Sequence, residues 1–376
     1  MKRILALALI FTLLLCGCGS KAEKPEPTLE PVSLDALIAA NGRTPETEAA
    51  EVETAEAAAA EETTAPTEPR IYRNPVNGTI LDAPFTGRIH GHTISNMQEN
   101  IPHVNLVKAD IVMEMYVNMN NIVRCLALYS DIESVDAIGS TRSTRPMFND
   151  IAQHYSLIVS HAGGSDTALN DATSRGVEHF NIEDWNVQQS VTTSYRDKEY
   201  NRSLENSLFG IGSGIKEYAR SQGWPMELEK DYGFRFTENG TPANSEAAAK
   251  ISLTFQYKEA KKDTHMVYDA ELGKYVWNQY NKEMVDQITG EKEAFTNVLI
   301  LDTAITNNGI YHAADFLAGG TGYYACGGQI APITFTCEGD TEPLRFWNAD
   351  GSELLLGVGN TYIAVAPNGS PVTWEA

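Results

Sequence analysis

The stretch ADIVMEMYVNMNNIVRCLALY, residues 109–129, contains two neighbouring strand patterns and decides how the first half of the chain folds. In residues 110–115, the apolar residues at 111, 113 and 115 alternate with Asp110, Val112 and Glu114. This is the two-residue period of a strand, which places the two sets on opposite faces. We therefore predict a β-strand over residues 109–116.

A turn-prone cluster at residues 118–121 separates this strand from a second apolar run over residues 122–129. Two strands joined by so short a connection predict a hairpin. The pattern leaves the register of the hairpin open, because a slip of one residue would move Arg124 to the opposite face of the sheet.

Farther along the chain, helix and strand patterns alternate until about Lys250, where the sequence changes to strand patterns alone. The predicted elements are helices that begin near Thr144, Asp166 and residue 215, and a buried strand over residues 156–160. From about Lys250 onward, short strands are separated by glycine-containing turns. The sequence thus predicts an α+β fold, with a layered mixed sheet and helices in the first domain and a mainly β second domain.

Composition divides the chain of 376 residues into segments. Residues 1–17 are predicted to be a signal peptide, and residues 18–70 form a spacer rich in alanine, glutamate, threonine and proline. The spacer has few large apolar side chains, so burial cannot offset the entropy of ordering it, and we expect it to be disordered. A polar, turn-rich stretch around residues 223–245 separates an N-terminal α/β-type domain (71–235) from a C-terminal mainly β domain (246–376).

The first twenty residues indicate where the protein resides. A basic start and a short apolar run are typical of a secretory signal, since the run is too short to span a bilayer. The sequence LCGC at residues 15–18 fits a bacterial lipobox with Cys18 as the acceptor, whereas Cys16 would place bulky Leu15 at the cleavage point. We expect a mature chain that begins at Cys18 and is anchored by acyl chains, such as palmitate, to the extracytoplasmic face of the cell membrane.

The formal charge of −22 restricts the partners of the chain. An acidic surface repels nucleic acid, so no nucleic-acid partner is expected, although a local cationic pocket is compatible with this charge. The histidines and cysteines show no spacing typical of a metal site, and we expect neither a metal nor a cofactor. Cys326 and Cys337 could pair outside the cytoplasm, but the sequence does not fix the distance between them.

Two predicted strand–helix junctions carry residues suited to binding an anion. In the first, GSTRSTRP at residues 139–146, Arg142 and Arg145 precede a helix whose first amides carry partial positive charge. The hydroxyl groups before Pro146 are suited to cap this helix. In the second, Gly163-Gly164-Ser165, the glycines allow close approach of the backbone and the serine suits an N-cap.

If the strands before these helices are parallel neighbours, both junctions lie at the sheet edge where open α/β sheets bind ligands. We therefore predict one pocket that contains Arg142, Arg145 and the glycine turn, with Arg124 nearby. His161 is expected to face the two arginines, where it is the candidate general base.

Each of these residues also has a structural interpretation. The arginines could pair inside the fold with Asp110, Glu114 or Asp150, and the first two of these carboxylates are the expected supporting residues of the site. His161 could be a hydrogen-bonded core histidine. The tyrosines and tryptophans of the second half are interpreted as sheet packing in preference to a platform for sugar rings. This set comprises Tyr275, Trp277, Tyr323, Tyr324 and Trp347.

Several motifs occur in an order that is typical of one family. They are ADIVME at 109–114, Arg124, IGSTRSTRP at 138–146, HAGGS at 161–165, GTGYY at 320–324, PIT at 332–334 and RF at 345–346. This set resembles the YerB family of bacterial lipoproteins, which is defined by paired N- and C-terminal domains of unknown function. The resemblance covers about residues 74–367 and implies an α+β, layered sheet-and-helix fold. Where the family has a Pro-His-Asn motif, this chain has Leu204-Glu205-Asn206, and the loss of that histidine favours binding over catalysis.

The leading hypothesis is therefore a membrane-anchored extracytoplasmic lipoprotein whose first domain binds an anionic group of a cell-wall polymer or a peptide. A cell-wall hydrolase or transferase that uses His161 with Ser165 or Asp166 is one alternative, although no nucleophile elbow or paired-carboxylate motif accompanies these residues. A structural or scaffolding lipoprotein is the other alternative. The sequence leaves the ligand, the oligomeric state and the protein partners open.

Overall fold

The structure is a computed structural model that describes residues 71–118, 122–199 and 202–376. These residues belong to one compact unit. The predicted signal peptide, the predicted lipidation site Cys18 and the spacer over residues 18–70 lie outside the described residues. Within the described ranges, no helix is both long enough and apolar enough to cross a bilayer.

Strands dominate the described part of the chain. In chain order they are β1 (Tyr72–Arg73), β2 (Ile80–Leu81), β3 (His90–Ser95), β4 (Ile111–Tyr116), β5 (Val123–Tyr129), β6 (Ile138–Gly139), β7 (Ile158–His161), β8 (Glu178–Asn181), β9 (Ser194–Arg196), β10 (Leu208–Gly210), β11 (Phe236–Thr237), β12 (Glu246–Ala247), β13 (Lys250–Tyr257), β14 (Ala260–Asp269), β15 (Lys274–Gln279), β16 (Lys282–Glu283), β17 (Ala294–Phe295), β18 (Asn297–Asn308), β19 (Tyr311–Asp315), β20 (Gly320–Cys326), β21 (Gln329–Thr336), β22 (Arg345–Asn348), β23 (Leu356–Gly357), β24 (Thr361–Pro367) and β25 (Val372–Glu375).

The helices of the described residues are concentrated in the first half of the chain. The α-helices are α1 (Pro146–Tyr155), α2 (Asp166–Ser174), α3 (Trp185–Ser190) and α4 (Gly212–Ser221). Short 3-10 helices lie at Gln98–Asn100, Leu106–Lys108, Ile132–Ser134, Leu204–Asn206 and Phe316–Ala318. The helices α1, α2 and α4 begin within a few residues of their predicted starts, because proline, serine and glycine mark these boundaries locally. Helix α3 was not predicted from the sequence.

A twelve-stranded mixed sheet forms the centre of the fold and takes strands from both halves of the chain. Its order is β12-β21-β20-β18-β24-β4-β5-β3-β7-β8, with β19 beside β18 and β22 beside β21. The two halves meet where β24 runs parallel to β4, so that Thr361 lies beside Ile111. The segments assigned to the N- and C-terminal domains thus contribute to one continuous sheet.

The β4–β5 hairpin lies at the middle of this sheet, and its register decides which face carries each charged side chain. Met115 lies opposite Arg124, and Glu114 lies opposite Cys125. Because side chains alternate along a strand, Arg124 and Glu114 lie on opposite faces of the central sheet.

Hydrophobic cores cover both faces of the central sheet. On the face of Cys125, a six-stranded sheet packs over it through Phe255 and Trp277; this second sheet has the order β16-β15-β14-β13-β25, with β17 beside β15. On the other face, Met147 and Phe148 of α1 pack against the hairpin. The fold is therefore the layered α+β architecture predicted from the sequence, with a mainly β second half.

Candidate anion-binding site

Arg124 lies on β5 and is only 4% exposed. Its Nη1 donates a hydrogen bond to the main-chain carbonyl of Ser143 at 2.5 Å. Burial, together with the positive charges of Arg145 and Arg142, lowers the pKa of Arg124 to about 9. Among the described residues, Arg124 forms no salt bridge, so this buried cation has a carbonyl partner but no bound carboxylate.

Arg142 is held in place by its main chain, and its side chain reaches an exposed carboxylate. Its amide donates to Thr93 O, and its carbonyl accepts from Ala162 N, both at 3.0 Å. Its Nη2 lies 2.5 Å from Oε1 of Glu205, and its Nη1 donates to the main-chain carbonyl of the same residue. The carboxylate is 72% exposed, so solvent screens this ion pair strongly.

Arg145 occupies the N-cap position of α1, directly before Pro146. Its Nη1 donates to Thr144 O at 2.6 Å, and its guanidinium lies 5.0 Å from the ring centroid of Tyr311. Burial lowers the pKa of Arg145, and the charge of Arg142 acts in the same direction. The Nε of Arg145 and the hydroxyl of Thr144 are buried without a hydrogen-bond partner among the described residues.

The glycine turn adjoins this first junction through its main chain. Thr144 N donates to Gly163 O at 3.0 Å, and Thr144 forms a parallel bridge with Gly164. A Cβ at Gly164 would lie 3.0 Å from Cγ2 of Thr144, so the absence of a side chain permits this approach. Ser165 caps α2, since its hydroxyl accepts a hydrogen bond from Ala168 N at 3.2 Å. The structure thus brings the glycine turn and the two arginines of the first junction together.

The two junctions meet by a different route from the predicted one. The strand before Arg142, β6, belongs to a three-stranded sheet of order β6-β10-β9 and is not a parallel neighbour of β7. The chain instead runs along the end of β3, where Ser95 N donates to Ser140 O at 3.0 Å. The expected pair of parallel strands is therefore wrong, as is the expected hydroxyl cap on α1, whose N-cap Arg145 makes no side-chain cap bond.

His161 lies at the end of β7 and is 1% exposed. Its Nε2 lies 2.9 Å from Nδ1 of His179, and its Nδ1 is buried and has no hydrogen-bond partner in the part of the chain that the structure describes. Burial lowers the pKa of His161 to about 3, and the neighbouring His179 contributes to this effect. Within the described residues it forms no hydrogen bond with the arginines that it was predicted to face. The hydroxyl of Ser165, its candidate nucleophilic partner, serves as a helix cap.

The acidic residues that were predicted to support the site bind elsewhere. Asp110 accepts an amide hydrogen bond at the end of β5, and Glu114 forms a buried ion pair with Lys262 on the opposite face of the sheet. Asp150 pairs with Arg175 at 2.7 Å. The supporting role predicted for Asp110 and Glu114 is therefore wrong, and so is the alternative in which these carboxylates neutralise the arginines.

The arrangement concentrates positive charge at the two junctions. We call Arg124, Arg142 and Arg145 the arginine cluster. The charges of Arg142 and Arg145 lower the pKa of Arg124, and the charge of Arg142 also lowers the pKa of Arg145. The ion-pair partner of the cluster among the described residues is the exposed Glu205. Guanidinium groups donate paired hydrogen bonds to carboxylate or phosphate oxygens, and they do so most strongly where water is partly excluded. The cluster is therefore chemically suited to hold an anionic group.

Sequence reasoning missed three residues of this arrangement. Glu205 occupies the place of the histidine in the family's Pro-His-Asn motif, and that departure was the available signal. Tyr311 lies under Arg145, but it comes from β19 in the second half of the chain. His179 adjoins His161 through the pairing of β7 with β8. The last two are brought in by strand pairing across distant parts of the sequence, which local patterns do not encode.

The cysteines and aromatic residues of the second half differ in burial. Cys326 and Cys337 are buried free thiols. Tyr275, Trp277 and Tyr324 are buried in the core, whereas Tyr323 and Trp347 are half-buried. Over the described ranges, no group of three or more histidine, cysteine, aspartate or glutamate residues could hold a metal ion.

Fold and site together define a class of α+β protein in which a sheet built from both halves of the chain carries an arginine cluster beside a glycine turn. Comparison with known families assigns both halves of the chain to paired domains. Residues 84–225 match the protein of unknown function (DUF3048) N-terminal domain, and residues 253–363 match the DUF3048 C-terminal domain. The chain belongs to the YerB-like family defined by these paired domains.

A solved structure has the same fold. The crystal structure of the YerB protein from Bacillus subtilis matches with a TM-score of 0.66 and 19% sequence identity. The alignment covers 80% of this chain and 99% of that one. No curated protein matches the sequence significantly. At this identity the likeness establishes the fold and leaves the activity to be argued from the site.

Proposed function

We propose that this chain is a lipid-anchored extracytoplasmic protein that binds an anionic group of a cell-envelope ligand through the arginine cluster. The observation that carries the proposal is Arg124, a cation only 4% exposed that has no salt bridge among the described residues. A buried charge without a counter-charge is costly, and an anionic ligand would supply the missing partner.

The other two arginines support a binding role because they remain partly available. Within the described ranges, the salt-bridge partner of Arg142 is the exposed Glu205, and a ligand oxyanion would compete with that carboxylate on equal chemical terms. The buried Nε of Arg145 has no hydrogen-bond partner among the described residues, which leaves a donor for a further ligand oxygen. Carboxylate and phosphate share the geometry that these groups recognise, so either one fits the proposal.

The chemistry of His161 favours binding over catalysis. Its pKa of about 3 keeps the imidazole neutral at physiological pH, and its Nε2 is engaged with His179. A general base must reach the proton that it abstracts, and this side chain is 1% exposed.

The binding experiment is isothermal titration of the mature chain with inorganic phosphate and with citrate, at constant ionic strength. We expect saturable binding in the wild type and at least tenfold weaker binding in Arg142→Lys, because lysine cannot make the bidentate fork. Arg220→Lys on the exposed side of α4 is the matched control and should bind as the wild type does. Equal affinities in all three proteins, or no binding by the wild type, would refute the proposal.

The anchor rests on the sequence of the signal and is tested separately. We expect Cys18→Ala to abolish both incorporation of labelled palmitate and retention in the membrane fraction, because acyl chains supply the stable attachment. Cys326→Ala is the control for incidental labelling. Failure of the wild-type chain to take up the label would show that the anchor is wrong and would leave the anion site untouched.

A further inference from the structure

A second cleft lies on the central sheet, far along the chain from the arginine cluster. It has a volume of about 440 Å³, which is within the range of small-molecule sites. Its floor is the face of β18, β20 and β21, and Ser370 and Val372, at the start of β25, form part of its wall.

Strand register arranges the floor of this cleft in two rows. In one row, Asp302 lies beside Thr321, which lies beside Thr334. In the parallel row, Ile300 lies beside Tyr323, which lies beside Pro332. Because neighbouring strands are about 4.8 Å apart, each row presents its groups at regular intervals across the sheet. The cleft therefore combines a polar ladder with an apolar, aromatic one.

The polar ladder has hydrogen-bonding capacity to spare. Oδ1 of Asp302 accepts a hydrogen bond from Gly369 N at 2.8 Å, which fixes the carboxylate and leaves Oδ2 without a partner among the described residues. The hydroxyls of Thr321 and Thr334 likewise have no side-chain hydrogen bond in the described part of the chain, and both residues are exposed. A carboxylate oxygen accepts and a hydroxyl both donates and accepts, so this row can satisfy a ligand rich in hydroxyl groups.

The aromatic row supplies the other half of the recognition. Tyr323 is half-buried, and its ring packs at 5.3 Å from the ring of Trp374, which holds it in place. A fixed ring gives a flat apolar surface at little cost in side-chain entropy. A pyranose ring has an apolar face of C–H groups and an edge of hydroxyls, and these two features match the two rows.

Charge favours a neutral ligand over an anionic one. Asp302 is the ionisable acid among the residues that line the cleft, and the chain as a whole carries a charge of −22. An anion would therefore be repelled. We propose that this cleft binds a neutral carbohydrate, which is a separate function from the anion site.

The test is isothermal titration of the mature chain with three neutral tetrasaccharides, namely chitotetraose, cellotetraose and maltotetraose, and with tetra-alanine as the peptide alternative. We expect at least one saccharide to bind. Tyr323→Leu, which keeps the apolar volume but removes the flat ring, should weaken this binding at least tenfold, and Asp302→Asn should weaken it about fivefold, because a charged hydrogen bond is lost.

Two variants keep the result interpretable. Tyr195→Leu, on the exposed surface of β9, should bind as the wild type does, and Arg142→Lys should also leave saccharide binding unchanged. If Tyr323→Leu fails to fold by circular dichroism, Thr321→Val removes a hydroxyl at an exposed position and should weaken binding at least threefold. Absence of saccharide binding, binding that survives the cleft variants, or binding of tetra-alanine alone would each overturn the assignment.

Discussion

Replacing Arg124 by methionine should stabilise the unliganded protein while removing its response to anions. Methionine has a similar length and no charge, and the side chain lies among the buried residues beside the hairpin. In the wild type, this site holds a guanidinium that is 4% exposed and is hydrogen bonded to the Ser143 carbonyl. The substitution therefore removes a buried charge, which stabilises the fold, and removes one hydrogen bond, which destabilises it.

The magnitude follows from the pKa of Arg124. A fall of this pKa from 12.5 to about 9 makes the charged form roughly 5 kcal/mol costlier in the folded chain than in water, at about 1.4 kcal/mol per pKa unit. Loss of the hydrogen bond to Ser143 O leaves a buried carbonyl that costs about 1–3 kcal/mol. The net gain in free energy of unfolding should therefore be roughly 2–4 kcal/mol at pH 7.

The dependence on pH has a definite sign. Because the folded-state pKa lies below that of the unfolded chain, the unfolded chain binds more protons above pH 9. The penalty in the wild type is thus complete below pH 9 and declines as the pH rises above it. The difference in stability between Arg124→Met and the wild type should shrink over the same range.

The assay is urea denaturation of both proteins at pH 7 and pH 10, with and without phosphate at constant ionic strength. Arg175→Met is the matched control, because Arg175 pairs with the buried carboxylate of Asp150 and its loss should destabilise the fold. A lower stability of Arg124→Met than of the wild type at pH 7, or equal stabilisation of both by phosphate, would refute the reasoning.

Further predictions concern three other contacts. Glu205→Gln should change the free energy of unfolding by less than about 1 kcal/mol, since the carboxylate is 72% exposed. The same substitution should raise the affinity for phosphate severalfold in titration calorimetry, and an unchanged affinity would contradict competition between Glu205 and the ligand at Arg142. The neutral His161 contributes stability that is complete above pH 6.5 and is lost as the pH falls towards 3. His161→Gln should therefore flatten this part of the profile of stability against pH, measured by urea denaturation. An unchanged profile at acid pH would argue against a role of His161 in this loss of stability. Lys262→Met should cost roughly 3–5 kcal/mol, because it leaves the fully buried Glu114 without its ion-pair partner, and the double variant with Glu114→Leu should regain part of this loss. A single variant as stable as the wild type in urea denaturation would show that the pair contributes little.

Local patterns in the sequence were sufficient for many elements of the fold. The alternation around Asp110 and Glu114 predicted β4, and the turn cluster after it predicted the hairpin that the structure contains. Pro146 and Gly163-Gly164-Ser165 marked helix starts, because proline at the first helical position and serine at an N-cap act through contacts within one turn. These signals involve residues that are neighbours in the sequence, so they can be recognised without knowledge of the rest of the fold.

The site was predictable only in part. One junction carried two arginines and the other carried two glycines, and both were recognisable as candidate sites. The structure places these two junctions side by side. Their contact arises from hydrogen bonds between loops and the end of β3, and not from the parallel strands that the pattern suggested. Hydrogen bonds between a loop and a strand produce no periodic pattern in the sequence, so the contact between the two junctions through β3 could not be predicted from the sequence.

The sequence by itself determined where strands and helices form, which residues carry charge, and that an acidic chain contains an isolated group of arginines. The tertiary structure decided that β24 pairs with β4, which joins the two halves in one sheet, and that Arg124 and Glu114 lie on opposite faces of it. A shift of one residue in register reverses every face, and its energy depends on packing against partners that are distant in sequence. Glu114 is therefore bound to Lys262 in the core, and Arg124 has no carboxylate partner among the residues that the structure describes.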